Sequence, residues 1–339
     1  MRLLVTGGLG FIGSNFILHT LNTYEDLSIV NLDLITYAGN FENLKEAEAF
    51  GSRYKFIRGD IADRKLVSEI VSTIPDAVVN FAAESHVDRS ILDASAFLKT
   101  NIIGTQVLMD CCRDRKISRF VQISTDEVYG SLGPSDPPFT EANDLKPNSP
   151  YSASKASADL LARAYFKTFG MDVVITRCSN NYGPLQFPEK LIPLMITNAI
   201  QDKELPLYGD GMNVRDWIHV LDHCRAIDMV LRKGKSGEIY NIGGSCEYPN
   251  IDIVRLILSK LQKPFSLINY VQDRPGHDRR YAINANKLTD ELGWTPSINF
   301  EDGIDQTIKW YIENEPWWRR IKTGEYLTYY EKWYGGLRT

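Results

Sequence analysis

Little in this chain marks it for export, for a membrane or for nucleic acid. Cysteine is scarce, five in 339 residues, and no CxxC pair occurs. Cys111 and Cys112 are neighbours in a helix-like stretch, while Cys178, Cys224 and Cys246 are scattered. That pattern argues against a disulfide framework and against a cysteine zinc site. No apolar run approaches the roughly 20 residues that a membrane-spanning helix needs. Met1-Arg2 leads straight into Leu3-Leu4-Val5, so no leader peptide is expected, and the expected location is the cytoplasm. A net charge of −5 leaves no basic footprint for a nucleic acid. Histidine is also sparse. His219 and His223 stand four apart, a spacing that could hold a metal, but no HExxH pattern and no third ligand accompany them, so no metal is expected. Internal repeats and low-complexity tracts are missing as well.

What the chain does have is a globular composition, 43% hydrophobic and 24% charged, and enough length for a large core and more than one lobe. Through the first 180 residues, short apolar runs at 2–6, 28–32, 54–57, 77–81, 119–124 and 172–176 alternate with helix-length stretches at 11–22, 64–73, 94–115 and 151–169. Such alternation implies a parallel sheet with right-handed crossovers and helices on both faces, a doubly wound α/β fold. After about residue 180 the rhythm breaks at Pro184, Pro188, Pro193 and Pro206 and at turns such as Gly209-Asp210-Gly211. Helices are expected again at 191–201, 220–232 and 251–261, with a strand at 238–242 and a Trp- and Tyr-rich tail from Trp310. The expected organisation is a nucleotide-binding domain over 1–180 and a smaller C-terminal α/β lobe over most of 181–339. The two interleave, with part of 205–245 returning to the first domain. A cleft between them is where a ligand is expected.

Residues 7–13 read GGLGFIG, directly after the first strand and opening a helix. Gly7, Gly10 and Gly13 suit a tight turn, close approach of a pyrophosphate and close helix–strand packing. The helix start then offers free N–H groups to the phosphates. Twenty positions after Gly13, Asp33 ends the second strand, where it would accept hydrogen bonds from an adenosine ribose. It would also repel a 2′-phosphate, and no arginine adjoins it, which favours NAD over NADP. The bland alternative is an aspartate capping a turn. Asp60-Ile61 follows the third strand, where an adenine would lie, unless Asp60 is a helix cap. Phe81-Ala82-Ala83 ends the fourth strand with small residues that suit a dinucleotide or simple close packing.

Residues 151–155 read YSASK, with Tyr151 and Lys155 four apart on one helix face. A lysine beside a phenol, near a positively charged nicotinamide, is expected to lower the phenol's pKa, so that the phenolate can take a proton from an alcohol as hydride leaves. Upstream, ISTDEVYG places two acids, Asp126 and Glu127, where a buried-looking strand stops. Taken alone, such a pair could cap a helix or face solvent. Beside the tyrosine and lysine, mutual repulsion would let one carboxyl keep its proton while the other stays ionised.

GGLGFIG, ISTDEVYG and YSASK, in that order, resemble the extended short-chain dehydrogenase/reductase superfamily. Adding LDLITYAGN (32–40), FAAESHVDRS (81–90), RCSNNYGP (177–184), PEKLIPL (188–194), LYGDGMNVRDWIHV (207–220) and RPGHDRRY (274–281), nearly the whole chain is similar to the dTDP-glucose 4,6-dehydratases. The Thr-Asp-Glu trio is the most specific element, since sugar-nucleotide epimerases of this superfamily usually carry small or hydroxyl residues there. The resemblance implies a Rossmann-type sheet and a bound NAD. It implies catalysis by Thr125, Asp126, Glu127, Tyr151 and Lys155, with Asp126 as acid and Glu127 as base for elimination across C5 and C6. Around the cofactor it adds Phe11, Ile12, Thr100 and Asn181 to the residues above. Along a sugar nucleotide it points to Glu84, Ser85, Asn180, Lys190, Leu191, Asn250, His277 and Tyr281, with Arg215 and Arg274 on the diphosphate. Asp278 and Arg279 look more like parts of an ion network. A homodimer through the helices at 94–115 and 151–169 is implied too. Two features depart from the family's habit: Leu9 stands for a frequent alanine, and Asn250 follows Tyr248-Pro249. The rival expectations are a nucleotide-sugar 4-epimerase or decarboxylase, and a non-catalytic NAD-dependent sensor.

Overall fold

The structure, a computed structural model, describes residues 1–73 and 76–323. The aromatic tail beyond 323 lies outside the described residues. The first lobe runs β1 (Arg2–Thr6), α1 (Phe11–Thr23), β2 (Ser28–Asp33), β3 (Tyr54–Arg58), α2 (Arg64–Val71), β4 (Ala77–Asn80) and α3 (Val87–Leu92). It continues through α4 (Ser95–Phe97), α5 (Thr105–Asp114), β5 (Arg119–Thr125), α6 (Pro150–Phe169) and β6 (Val173–Cys178). Then come β7 (Asn180–Tyr182), α7 (Leu191–Ile200), β8 (Leu205–Tyr208), β9 (Val214–His219), α8 (Val220–Lys233) and β10 (Ile239–Ile242). The described residues close with β11 (Glu247–Pro249), α9 (Asn250–Lys260), β12 (Ile268–Val271), α10 (Asn286–Leu292), α11 (Phe300–Glu313) and α12 (Glu315–Ile321).

Seven strands form one parallel sheet in the order β10-β6-β5-β4-β1-β2-β3. The largely buried, mostly aliphatic sequences of all but the edge strand β3 fit a sheet covered on both faces. Apolar side chains of α1 and α8 cover one face, joined by Ala285, Leu288 and Trp294 from near the end of the chain. Side chains of α2, α5 and α6 cover the other. The strand order reverses between β1 and β4, and a doubly wound sheet opens its ligand crevice at that switch point, outside the carboxyl ends of the strands. A separate core of α7, α9, α11 and α12 packs around a three-stranded sheet, β11-β9-β7, to make the second lobe. No helix among the described residues is long and apolar enough to cross a membrane.

Local chemistry sets the ends of the elements that matter for the site. Helix α6 starts at a reciprocal capping box between Ser149 and Ser152, with Pro150 as its first residue, and stops at Gly170 in the left-handed region, φ 65°. Asp63, not Asp60, caps α2, accepting from the N–H groups of Lys65 and Leu66. The continuous helix expected over 94–115 is interrupted. Between α4 and α5 the backbone widens into a π-helical turn, Leu98–Gly104. Asn101 accounts for it. Its amide is held inside by Glu84, whose N–H it accepts at 2.9 Å and whose carbonyl it donates to at 3.0 Å, and by Ser154 Oγ at 2.8 Å.

Candidate active site

A cavity of about 300 Å3 follows the carboxyl ends of the strands from the glycine loop to the end of β5. Gly7, Gly10, Phe11, Ile12, Gly13, Asp33, Asp60, Ile61, Ala82, Ala83, Thr100 and Asn181 all line it. So do Glu84, Ser85, Thr125, Asp126, Glu127, Tyr151, Lys155, Asn180 and Lys190.

At one end the backbone itself is the wall. Gly7 has φ +68°, and a Cβ there would sit 2.6 Å from the Ala82 nitrogen; a Cβ at Gly13 would meet the Gly7 carbonyl at 2.4 Å. Helix α1 opens at Gly10 with no side-chain cap and no acid in its first turn. Its first N–H groups therefore remain available to an anion. Asp33 is buried across the loop and accepts from Leu9 N at 2.9 Å and Ile35 N at 2.7 Å; burial raises its pKa against those two bonds. Gly8 was overlooked as part of this machinery. It donates to Asn31 Oδ1 at 3.1 Å, and a Cβ there would overlap that amide. The cradle fits a dinucleotide pyrophosphate, and the Leu9 side chain turns away into the core. Gly13→Ala should cost about 1–3 kcal/mol from overpacking, about 5- to 150-fold in dinucleotide affinity. The NAD that copurifies with the variant, measured after denaturation, checks this, and stoichiometric NAD would contradict it.

At the other end lie the acids. Strand β5 delivers Thr125, and a single 3-10 turn, Asp126–Tyr129, follows it, capped by Thr125 Oγ1, which accepts from Glu127 N at 3.2 Å. Asp126 is 1% exposed, and its Oδ2 has no hydrogen-bond partner. Burial first, then the charges of Glu127 and Asp216, hold its carboxyl well above the usual carboxylate range. Glu127 is also raised by burial, but Arg274, Lys190 and Arg215 oppose that rise. The two neighbours thus occupy unlike electrostatic settings, one favouring the proton and one surrounded by cations.

Tyr151 and Lys155 face the same space from α6, and both are buried. Here one expectation needs correction. In the protein by itself the Tyr151 phenol is pushed well above its ordinary value, by burial and then by Glu127 and Cys178. Lys155 does not offset this, because its ammonium is directed at the Ile123 carbonyl, 2.6 Å away. Burial in turn lowers the Lys155 pKa, and Asp159 opposes that most.

The other residues expected on the substrate stand outside the cavity wall. Leu191 opens α7. Arg215 spans from β9 to the Asp278 carbonyl, 2.9 Å, with its guanidinium 4.4 Å from the Tyr281 ring centroid. The Tyr281 hydroxyl donates to Asp278. Arg274 pairs with Asp88 Oδ1 at 3.0 Å, His277 with Asp273 Oδ1 at 2.6 Å, and Asn250 Oδ1 has no partner. Asp278 accepts from Asn148 Nδ2 at 2.6 Å, and Arg279 pairs with Asp210 at 2.8 Å. Arg215 and Arg274 still reach the acid turn electrostatically. His219 caps α8, and His223 Nδ1 bonds Asn181 Oδ1 at 2.8 Å.

Glu189 was missed among the cavity residues. Burial raises its carboxyl to about 7, against Lys190 and Arg89. Its adjacency to Lys190 in PEKL was the available signal.

Comparison with known proteins agrees with this geometry. A family model described as GDP-mannose 4,6 dehydratase matches residues 4–307. The chain is 51% identical to a dTDP-glucose 4,6-dehydratase of Xanthomonas campestris pv. campestris (strain B100), over 95% of this chain and 96% of that one. It superposes on the dTDP-glucose 4,6-dehydratase of Streptomyces venezuelae, solved with NAD bound, with a TM-score of 0.92 at 51% identity, covering 95% of this chain and 100% of that one. For the dTDP-glucose 4,6-dehydratase of Bacillus anthracis in complex with NAD the TM-score is 0.89 at 52% identity, with the same coverage.

Proposed function

We infer the reaction from one premise: the chain belongs to the dTDP-glucose 4,6-dehydratase family, within the extended short-chain dehydrogenase/reductases. It is an NAD-dependent hydro-lyase that converts dTDP-glucose to dTDP-4-keto-6-deoxyglucose. The observation that carries this reading is the pair of acids. Asp126 and Glu127 share a cavity wall with Tyr151 and Lys155; burial raises both carboxyls, Asp126 well above its usual range, while Arg274, Lys190 and Arg215 oppose the rise at Glu127.

NAD, when bound, takes the hydride from C4 of the sugar and later returns it to C6. The glycine loop and the start of α1 would hold its pyrophosphate, and Asp33 its adenosine ribose. Tyr151 removes the C4 hydroxyl proton, and Thr125 hydrogen-bonds the C4 oxygen and orients it. The resulting ketone acidifies the proton at C5. Glu127 takes that proton; the cations around it keep it ionised beforehand, and its burial keeps it basic. Asp126 supplies its retained proton to the departing C6 oxygen, so that water leaves and a C5–C6 double bond forms. After hydride return at C6, Glu127 gives its proton back to C5; Tyr151 releases the proton it took from the C4 hydroxyl and Asp126 takes one up from solvent, so all three groups end the cycle in their starting states. Lys155, hydrogen-bonded to the Ile123 carbonyl, adds a positive charge to the same cavity wall as Tyr151. The cations of the second lobe, Arg215 and Arg274, suit a diphosphate, whose oxygens a guanidinium fork matches.

A 4-epimerase would need Tyr151 and Lys155 but would gain nothing from a buried carboxyl pair. The test is a panel of dTDP-, UDP- and GDP-glucose, read by the alkaline absorbance of a 4-keto product and by product mass. Loss of water from dTDP-glucose is expected. A product of unchanged mass with inverted C4 would overturn the reading in favour of epimerisation.

A cytoplasmic homodimer belongs to the same reading. Leu98, Ile103, Leu160 and Phe169 are about half exposed on the wide turn and on α6, an apolar surface that a second copy would cover. Sedimentation at micromolar concentration tests it.

A further inference from the structure

A buried ion pair lies directly behind the catalytic lysine, and the reaction as described above makes no use of it. Asp159 follows Lys155 by one turn on the same face of α6 and is 1% exposed. Its Oδ2 accepts from Arg177 Nε on β6 at 2.9 Å, with Arg177 3% exposed. Arg177 in turn lies over the Tyr129 ring, 4.7 Å from its centroid. Tyr129 closes the turn that carries Asp126 and Glu127, and its hydroxyl is anchored to Asn241 Oδ1 on β10 at 2.8 Å. The strand register places Arg177 between Ser124 of β5 and Asn241 of β10. Both halves of the chemistry therefore rest on one run of side chains.

Stability is a weak reason to keep such a pair. Removing two charges from water costs about what their attraction returns, and an apolar replacement of similar volume is often as stable or more so. We propose that Asp159 and Arg177 are positioning residues: Asp159, one helical turn beyond Lys155, keeps a charged ammonium seated on the Ile123 carbonyl, and Arg177 locks Asp159 and the acid turn to the same frame. The groups around Lys155 are Asp159 and Tyr151 on its own helix, Cys178 on β6 and, across the shared cavity, the acids of the turn after β5, with the Ile123 carbonyl as its direct acceptor. Of these, Asp159 is the largest influence favouring the charged ammonium against burial.

The proposal rests on the role of Lys155 given above, so its test has one arm that needs no turnover. In holoenzyme labelled with 15N at lysine Nζ and assigned with Lys155→Met, the Lys155 signal is titrated in wild type and in Asp159→Asn. Removing the neighbouring anion should make Lys155 lose its proton at lower pH. In the second arm, Asp159→Asn should reduce kcat for dTDP-glucose about 10- to 100-fold, the cost of a slightly misplaced group, with KM changed by less than about twofold. The alkaline limb of kcat should move to lower pH, and Asp159→Glu, which keeps the charge, should recover part of the rate. The apolar pair Asp159→Leu with Arg177→Met should melt near the wild type yet turn over as slowly as Asp159→Asn. An unmoved titration with kcat within about twofold of wild type overturns the proposal, as does full activity in the apolar pair. If the wild type itself fails to act on dTDP-glucose, the substrate assignment falls, while the titration still decides the positioning role.

Discussion

Tyr151→Phe should turn over dTDP-glucose about 10^3-fold more slowly than the wild type, within the range that a positioned acid–base group contributes. The substitution removes one oxygen from a buried ring that also packs edge-on against Phe97, 6.3 Å between centroids, so the fold and the cavity wall remain. What disappears is the acceptor for the C4 hydroxyl proton. Without it the sugar cannot reach the ketone, and neither elimination nor hydride return can follow. The variant should bind NAD and dTDP-glucose normally and show no burst of reduced nicotinamide at 340 nm on mixing. The phenol needs help to ionise, since burial and Glu127 hold its proton on in the protein alone. The positive charge of a bound nicotinamide would supply that help, and Lys155→Met, which removes a cation from the same cavity wall, should be impaired in the same first step. A Tyr151→Phe rate within tenfold of wild type would remove the tyrosine from its role.

Asp126→Asn combined with Glu127→Gln should separate the two halves of the cycle. The first oxidation needs neither carboxyl, so a burst of reduced nicotinamide should form and persist. Elimination needs both, so the 6-deoxy product should fall by about 10^3-fold or more, two acid–base contributions being lost together. Appearance of that product at more than a tenth of the wild-type rate would show that other groups perform the elimination. The single change Asp126→Asn carries a stability consequence of definite sign. In the unfolded chain Asp126 ionises near its ordinary value, whereas the folded protein keeps the proton to much higher pH. Between those two values the unfolded state binds fewer protons, and folding stability declines as pH rises. Asparagine has no proton to lose. The melting temperature of Asp126→Asn should therefore exceed that of wild type by a margin that grows as pH rises above the ordinary carboxylate range, the trade of stability for function seen where a buried group is kept for chemistry.

The features legible in the sequence were those that covalent spacing fixes. A βαβ unit has little freedom, so counting from Gly13 to Asp33 located the end of β2, and four residues on a helix put Tyr151 and Lys155 on one face. Contacts between distant segments were not legible. Arg274 finds Asp88 across 186 residues, and no window along the chain contains both. Helix α11 was not among the expected elements, and Asp302-Gly303 near its start has the composition of a turn. In the fold Gly303 sits against the Tyr182 hydroxyl, where a Cβ would come within 2.2 Å, so the glycine serves close packing and the helix runs through it. The wide turn after α4 was hidden for a similar reason, since Asn101 is an ordinary helical residue until Glu84 and Ser154 capture its amide. The short strands β7 and β11, three residues each, carry too little pattern to be read alone and exist because β9 lies between them.

The position of β10 bears on how the protein is made. When a ribosome has released residues up to Cys178, β1 to β6 are all present, but β6 has nothing on its outer side. The strand that seals it begins at Ile239, and at about 5 to 20 residues per second the nascent sheet waits roughly 3 to 12 seconds for it. Throughout that interval a row of unpaired backbone groups offers a template to any neighbouring chain on the same polysome. Synthesis of this enzyme thus carries a window in which a chaperone, or slow dilution from other copies, decides how much of it matures.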